Sequence, residues 1–139
     1  MCAVVTNSGQ LLGQGAGPEI DASDCVFRMN AAPTRGYEND VGKRTDVRII
    51  GHSNLVKHDI KHNQSVRDEL FSTDNIDGNS SITLIPWLFR KSLNKTVDAS
   101  YRMAVNLSTA YPDMSFYVST PQWIAESEEL FKVETGISR

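Results

Sequence analysis

The sequence predicts an α/β protein in which a mostly parallel β-sheet is flanked by helices. Short runs rich in apolar and β-branched residues recur along the chain, each bounded by glycine or by polar turn residues. Between the later runs, apolar residues recur at helical spacing, as at 97–111. Strands that alternate with helices are typical of a parallel sheet with helices packed against it.

The individual elements follow from the same patterns. Strands are predicted at residues 2–5, 25–29, 46–50, 81–88 and 114–118. Helices are predicted to begin at proline near 18 and 121, and a third spans 97–111, which Pro112 ends. No repeat, linker or low-complexity run divides the chain, so we expect one structural unit over residues 1–139.

The composition excludes several classes of protein. Of 139 residues, 40% are hydrophobic and 22% are charged, which is typical of a soluble globular protein. The net charge is −3 and no basic block is present, which argues against a nucleic-acid partner. The sequence shows no signal peptide and no apolar run of membrane-spanning length.

Polar residues follow three of the predicted strands. Asn7, Asn30 and residues 51–53 come directly after them. Ligands of parallel α/β sheets bind beyond the carboxyl ends of the strands, so we expect these residues to lie near a ligand. The turn Asn7-Ser8-Gly9 suits a phosphate, because asparagine can donate a hydrogen bond and glycine lets a ligand approach the backbone. An ordinary strand–loop junction has the same pattern.

The glycine run 13–17 suggests a second class of ligand. It does not match a dinucleotide-binding fingerprint, because Pro18 stands where the third glycine is needed. It resembles the glycine loop of class I methyltransferases, which would bind S-adenosylmethionine. Those enzymes carry an acidic residue just before the loop, and Gln10 is not acidic. This alternative therefore stays open but weak.

The histidines and acids predict no catalytic or metal site. His58 and His62 are spaced to share a helix face, but their neighbours are those of a solvated surface. His52 and Ser53 follow a strand and are candidates to line a ligand site. No Asp-x-Asp motif is present, which argues against a metal-dependent nucleotide-sugar site.

Cysteines and glycosylation motifs bear on the cellular compartment. The two cysteines, Cys2 and Cys25, form no C-x-x-C motif, and composition leaves two thiols or one disulfide open. A bridge would need Cα atoms closer than about 7 Å. Four Asn-x-Ser/Thr motifs are candidate glycosylation sites, at Asn63, Asn79, Asn94 and Asn106, the last within a predicted helix.

Residues 2–54 resemble the large sialylmotif of animal sialyltransferases, glycosyltransferase family 29. The matching residues are Cys-Ala-Val-Val-Thr-Asn-Ser-Gly (2–9), Glu-Ile-Asp (19–21), Phe-Arg-Met-Asn (27–30), Ala-Pro-Thr (32–34) and Asp-Val-Gly-Lys-Arg-Thr (40–45). The closing Glu-Thr-Gly-Ile-Ser-Arg (134–139) resembles the lead-in to the small sialylmotif of enzymes that attach α2,6-linked sialic acid to N-acetylgalactosamine, and Ala-Pro-Thr-Arg-Gly-Tyr (32–37) fits that subgroup.

The resemblance implies a function and a site. It implies a Rossmann-like sheet of the GT-A variant and transfer of sialic acid from CMP-sialic acid to a glycan hydroxyl of a glycoprotein or glycolipid, with inversion and without a metal or cofactor. Asn7 and Asn30 would hold the phosphate and ribose, with Ser8 and Gly9 forming the turn beneath. The expected location is the Golgi membrane, on the lumenal side.

The resemblance also implies what the chain lacks. The small motif, its catalytic histidine and the membrane anchor are missing, so we interpret both ends as truncations and expect the chain alone to be inactive. Cys2 matches a cysteine whose partner lies in the small motif, which implies an unpaired thiol here; Cys25 is unassigned. A different class of product, a non-catalytic fragment that binds CMP or another protein, is the alternative.

Overall fold

The computed structural model describes residues 1–56, 58–71, 82–87 and 98–137. In this part of the chain the sheet has five parallel strands, in the same order in space as in sequence. They are β1 (Cys2–Val5), β2 (Cys25–Met29), β3 (Val47–Gly51), β4 (Thr83–Trp87) and β5 (Ser115–Phe116). The predicted α/β class with a parallel sheet is confirmed.

Seven α-helices are described, besides a 3-10 turn at Gly9–Leu11. They are α1 (Gly17–Asp21), α2 (Glu38–Val41), α3 (His52–Leu55), α4 (His58–His62), α5 (Gln64–Phe71), α6 (Ala99–Ala110) and α7 (Pro121–Thr135). Asp98 caps α6 by accepting hydrogen bonds from two backbone N–H groups, and the Thr120 hydroxyl caps α7. The short helices α2 and α3 were not predicted.

The core lies on one face of the sheet. Along β2, β3 and β4 the buried side chains alternate with half-buried ones, as the period of a strand requires. Ile50 and Leu84 pack there against apolar residues of the helices, including Leu55, Phe71 and Leu107. Crossovers between parallel strands are right-handed, so a sheet whose strands advance in sequence order collects its connecting helices on one face.

The opposite face of the sheet is only partly covered by the described residues. Helix α7 reaches it at one corner, where the rings of Trp123 and Trp87 meet edge-on at 5.7 Å. Elsewhere Val4 is 67% exposed, and Phe27 and Ile49 are half-buried. Parallel sheets are ordinarily covered on both faces.

Backbone hydrogen bonds to one carboxylate tie the segments after β1 and after β2 together. Asp21, at the end of α1, accepts from the backbone N–H groups of Lys43 and Arg44 at 3.0 and 2.9 Å. The Arg44 guanidinium donates to the carbonyl oxygens of Ser23 and Asp24. The Asp21 carboxylate and the Arg44 guanidinium therefore join these two segments, and Lys43 contributes its backbone N–H.

Gly17 allows α1 and α2 to approach closely. A Cβ atom at position 17 would collide with the backbone carbonyl of Glu38, which no side-chain movement can relieve. We expect Gly17→Ala to lower the free energy of unfolding by about 3 kcal/mol, the cost of an overpacked contact that the backbone must absorb. Gly9→Ala is the matched control, because a Cβ there meets Leu12 Cδ1 at an ordinary 3.6 Å. Urea denaturation measures the free energy of unfolding of both variants. Equal losses of that free energy in the two variants would contradict this packing.

Candidate nucleotide-binding site

A small cavity of about 160 Å³ opens at the carboxyl end of β1. Asn7, Ser8 and Gly9 line it from the turn that follows the strand, and Arg28 lines it from β2. Ala32 and Tyr37 contribute from the loop after β2. Three consecutive predicted site residues therefore line one cavity, and the fold adds Arg28 to them.

The turn after β1 presents short polar groups at the exposed rim of this cavity. The chain leaves β1 in an extended conformation at Ser8 and turns through the 3-10 segment at Gly9–Leu11. The Ser8 hydroxyl lies 3.4 Å from that of Thr6, and Asn7, Ser8 and Gly9 are all exposed. Exposed amide and hydroxyl groups on a tight turn can donate to a bound anion.

Arg28 places a buried cation in the cavity wall. It is 1% exposed, and its Nε donates to the carbonyl oxygen of Arg44 at 2.9 Å and to the hydroxyl of Thr45 at 3.0 Å. Its Nη2 is buried and has no hydrogen-bond partner among the described residues. Burial lowers the pKa of Arg28, and Asp21 opposes that shift. A buried guanidinium with an unused donor suits an anionic ligand.

Asn30 forms a second polar cluster at the same edge, one strand further along. It follows β2 with a left-handed φ of 56°, and its backbone N–H donates to Ile49 at 2.7 Å. Its side-chain oxygen accepts from the backbone N–H of Gly51 at 3.1 Å and from Asn54 Nδ2 at 3.0 Å. Asn30 does not line the cavity itself. Val5 pairs with Arg28, and Asn7 and Asn30 each follow two residues further along their own segments.

A second buried arginine supports the Asn30 cluster. Arg48, 2% exposed, is the register partner of Arg28 and donates to the carbonyl oxygens of Asn30 at 2.8 Å and Ala32 at 3.4 Å. Burial and then the charge of Arg28 lower the pKa of Arg48 to about 10, with Glu69 opposing. Arginine is not deprotonated in proteins, so both side chains are cations. Two cations beneath one edge of the sheet favour an anion bound above them.

The other predicted site residues occupy the beginning of α3. His52 is half-buried, and its carbonyl oxygen accepts from the Ser100 hydroxyl at 3.2 Å. Ser53 is exposed. Sequence analysis did not identify Arg28, Arg48 or Asn54 as site residues. The available signal was an arginine at an inward-facing position in each of two apolar strands.

The glycine run has a structural role that weakens the methyltransferase alternative. Gly13 and Gly15 have φ values of 79° and 66°, and the N–H of Gly15 donates to Asp40 Oδ1 at 3.0 Å. Hydrogen bonds from Gly13 and Gly15 lower the pKa of Asp40. The backbone donors of this loop are thus directed at the protein's own carboxylate.

The expectation of a free thiol at Cys2 was wrong. Cys2 forms a disulfide with Cys25, with their Cα atoms 4.5 Å apart. The parallel register places the two residues directly opposite each other on β1 and β2, which brings their Cα atoms within bridging range. Beside them the N-terminal ammonium contacts the carboxylate of Asp24, and the Asp24 N–H donates to Met1 at 3.0 Å. The partner of Cys2 could not be found by motif, because it depends on strand register.

Among the candidate glycosylation sites, Asn63 and Asn106 are exposed. Asn63 lies between α4 and α5, where its side-chain oxygen accepts from the Val66 N–H at 3.3 Å. Asn106 lies within α6, as predicted. Asn79 and Asn94 fall outside the described residues.

The described residues contain neither a metal-binding cluster nor a membrane-spanning helix. No cluster of three or more histidine, cysteine or acidic residues there could hold a metal ion. None of the helices described is long and apolar enough to span a membrane.

The disulfide should contribute measurably to stability. It closes a loop over a sequence separation of 23 residues, for which chain entropy gives about 3 kcal/mol. We expect reduction, or the variant with both Cys2→Ser and Cys25→Ser, to lower the free energy of unfolding by that amount in urea denaturation. The reductant should leave the double variant unchanged. Two thiols titrated in the unreduced, unfolded chain would contradict the pairing.

Comparison with known proteins defines the class. The parallel α/β sheet aligns with a crystal structure of a mammalian sialyltransferase at a TM-score of 0.53 and 25% identity, covering 94% of this chain and 42% of that one. A second, in complex with Gal-beta-1-3GalNAc-ortho-nitrophenol, shares the fold at a TM-score of 0.57 and 22% identity, over 94% of this chain and 43% of that one.

The family follows from the sequence comparisons. The model of glycosyltransferase family 29 (sialyltransferase) matches residues 1–138, and the chain belongs to this family. It is similar to a mouse alpha-N-acetyl-neuraminyl-2,3-beta-galactosyl-1,3-N-acetyl-galactosaminide alpha-2,6-sialyltransferase, 36% identical over 99% of this chain and 36% of the relative. It is also similar to human alpha-N-acetylgalactosaminide alpha-2,6-sialyltransferase 3, 37% identical over 100% of this chain and 43% of the relative. The chain spans about two fifths of the length of the curated relatives it matches.

Proposed function

We propose that this chain is the donor-binding part of a sialyltransferase that transfers sialic acid from CMP-sialic acid to a glycan acceptor. One observation carries the proposal: the cavity at the end of β1 combines the Asn7–Gly9 turn with the buried guanidinium of Arg28. A nucleotide monophosphate ester offers the anionic oxygens that these groups can bind. We propose CMP as the nucleotide because the chain belongs to the sialyltransferase family.

The acceptor is proposed from the relatives. The names of the mouse and human proteins describe alpha-2,6 transfer to N-acetylgalactosaminides. We propose the same linkage and acceptor class here, on a glycoprotein or glycolipid. Acceptor contacts are proposed to come mainly from parts of the enzyme outside this chain.

The chemistry of the proposed site is stabilisation of the leaving group. As the bond between the sialic acid and the phosphate oxygen breaks, negative charge builds up on the phosphate of CMP. Fixed donors aimed at that charge lower the barrier. Arg28 and the turn at Asn7–Gly9 are proposed to supply them, in a metal-independent reaction without a cofactor. Deprotonation of the acceptor hydroxyl needs a base. The resemblance puts that base in the small motif, so the chain alone is proposed to be inactive.

The proposed location is the lumen of the Golgi, with membrane attachment through an anchor outside this chain. A disulfide supports an oxidising compartment, because disulfides form and persist there. Exposed Asn-x-Ser motifs at Asn63 and Asn106 are compatible with passage through the secretory pathway.

CMP binding tests the function directly. We expect the purified chain to bind CMP more tightly than cytidine in isothermal titration. Arg28→Met should weaken CMP binding about tenfold or more and cytidine binding much less, because a charge-assisted hydrogen bond to phosphate contributes roughly 1.5–3 kcal/mol. Arg102→Met, which removes an exposed arginine on α6, is the control.

A general structural effect of Arg28→Met would show in a different pattern. Equal losses for CMP and cytidine would assign Arg28 to the fold and not to the phosphate. A folded, monodisperse wild-type chain that binds no CMP would refute donor binding by this part of the enzyme.

Glycosylation tests the proposed compartment. When the chain is secreted from animal cells behind a signal peptide, we expect Asn63 to carry a glycan and Asn106 to remain bare. Asn63 lies in an exposed turn, whereas Asn106 is held within the hydrogen-bonded backbone of α6. Asn63→Gln should therefore remove a glycosidase-sensitive mobility shift that Asn106→Gln leaves intact. An unshifted wild-type protein would count against use of the Asn63 site.

A further inference from the structure

The orientation of the Asn30 side chain is fixed by chemistry. A backbone N–H can only donate, so the atom of Asn30 that faces the Gly51 nitrogen at 3.1 Å must be the oxygen, Oδ1. The same oxygen faces the side chain of Asn54 at 3.0 Å, so Asn54 must present its N–H₂ group there. The orientation of Asn30 follows from the Gly51 N–H, and the orientation of Asn54 then follows from that of Asn30.

The backbone of Asn30 is held as firmly as its side chain. Its N–H donates to Ile49 and its carbonyl oxygen accepts from Arg48 Nη1, at 2.7 and 2.8 Å. These contacts keep a non-glycine residue at a φ of 56°. Such a conformation persists only where its surroundings determine it, and it is common at ligand sites.

The Nδ2 group of Asn30 has no hydrogen-bond acceptor in the described part of the chain. Both side-chain hydrogen bonds of Asn30 use its oxygen. Asn30 is half-buried and directly follows the carboxyl end of β2. The Nδ2 group of Asn30, fixed in this way, offers a ligand two N–H donors and no acceptor.

We infer that Asn54, with the Gly51 N–H and Arg48, positions Asn30 so that its Nδ2 donates to an oxygen of the bound donor nucleotide. The inference rests on the proposed function and deepens it by stating the polarity of the contact. Asn54 is a positioning residue that acts through Asn30, and the ligand atom at Asn30 is an acceptor such as a phosphate or ribose oxygen.

A double-mutant cycle with CMP tests the role of Asn54. We expect Asn54→Leu to weaken CMP binding about fivefold to tenfold by calorimetry and to have no further effect in the Asn30→Ala background, because interacting residues are non-additive. Asn106→Leu, an exposed asparagine on α6, is the matched control and should change nothing. Equal losses in both backgrounds would overturn the inference, because they indicate a general effect on the fold.

Asn30→Asp tests the polarity of the contact. An aspartate keeps an oxygen to accept from Gly51 and Asn54, but it replaces the N–H₂ donors with a second oxygen. We expect the variant to keep its melting temperature and to lose CMP binding at least as severely as Asn30→Ala. Retained binding would overturn the inference. Equal loss for cytidine, which carries no phosphate charge for the aspartate to repel, would identify a nucleoside oxygen as the acceptor.

Nuclear Overhauser effects in the unliganded chain separate this inference from the proposed function. If the chain binds no CMP, the proposed function fails, but the orientation of Asn30 can still be measured. We expect no strong effect between the Asn30 side-chain amide protons and the Gly51 N–H proton, and a shift of the Asn30 side-chain resonances in Asn54→Leu. A strong effect between those protons would overturn the assignment of Asn30 as a donor.

Discussion

Main-chain hydrogen bonds between β1, β2 and β3 set three strand ends side by side, and the rest of the site depends on that register. Cys2 meets Cys25 at the amino ends of β1 and β2, and Val5 meets Arg28 near their carboxyl ends. Arg28 in turn pairs with Arg48 on β3. Because side chains alternate along a strand, a slip of β2 by one residue would turn Arg28 to the other face of the sheet. The disulfide and the Asp21 hydrogen bonds both oppose such a slip.

Burial of two like charges is costly, and the fold offsets only part of that cost. Arg28 and Arg48 donate to backbone carbonyl oxygens, which satisfies some of their N–H groups. Each still has a buried nitrogen, Nη2 of Arg28 and Nε of Arg48, without a partner among the described residues. An anion bound above them would offset this uncompensated charge. If the proposed nucleotide binds there, it should stabilise the fold, since a ligand that binds only the folded state stabilises it.

The strands could be predicted because the apolar and β-branched residues that indicate each strand lie within the strand itself. The bounds of β1 and β2 match the predicted residues 2–5 and 25–29, and β3 differs by a single position. The predicted strand at 114–118 shortens to Ser115–Phe116. Helices α2 and α3 have four residues each, too short for a periodic pattern to register. The Cys2–Cys25 bridge and the Asn54 contact depend on residues 23 and 24 positions apart, which only the folded register brings together.

The open face of the sheet and the proposed donor site are two surfaces on which a nucleotide could bind. A larger cavity of about 450 Å³ lies beside Trp87 and Trp123 on that face, and neither Asn7 nor Asn30 lines it. Backbone amide shifts recorded during a CMP titration by NMR distinguish the two most directly. We expect the perturbations to concentrate at residues 7–9, 28–32 and 51–54. Perturbations confined to the Trp87–Trp123 cavity, or to the glycine run 13–17, would contradict a donor site built on the ends of β1, β2 and β3.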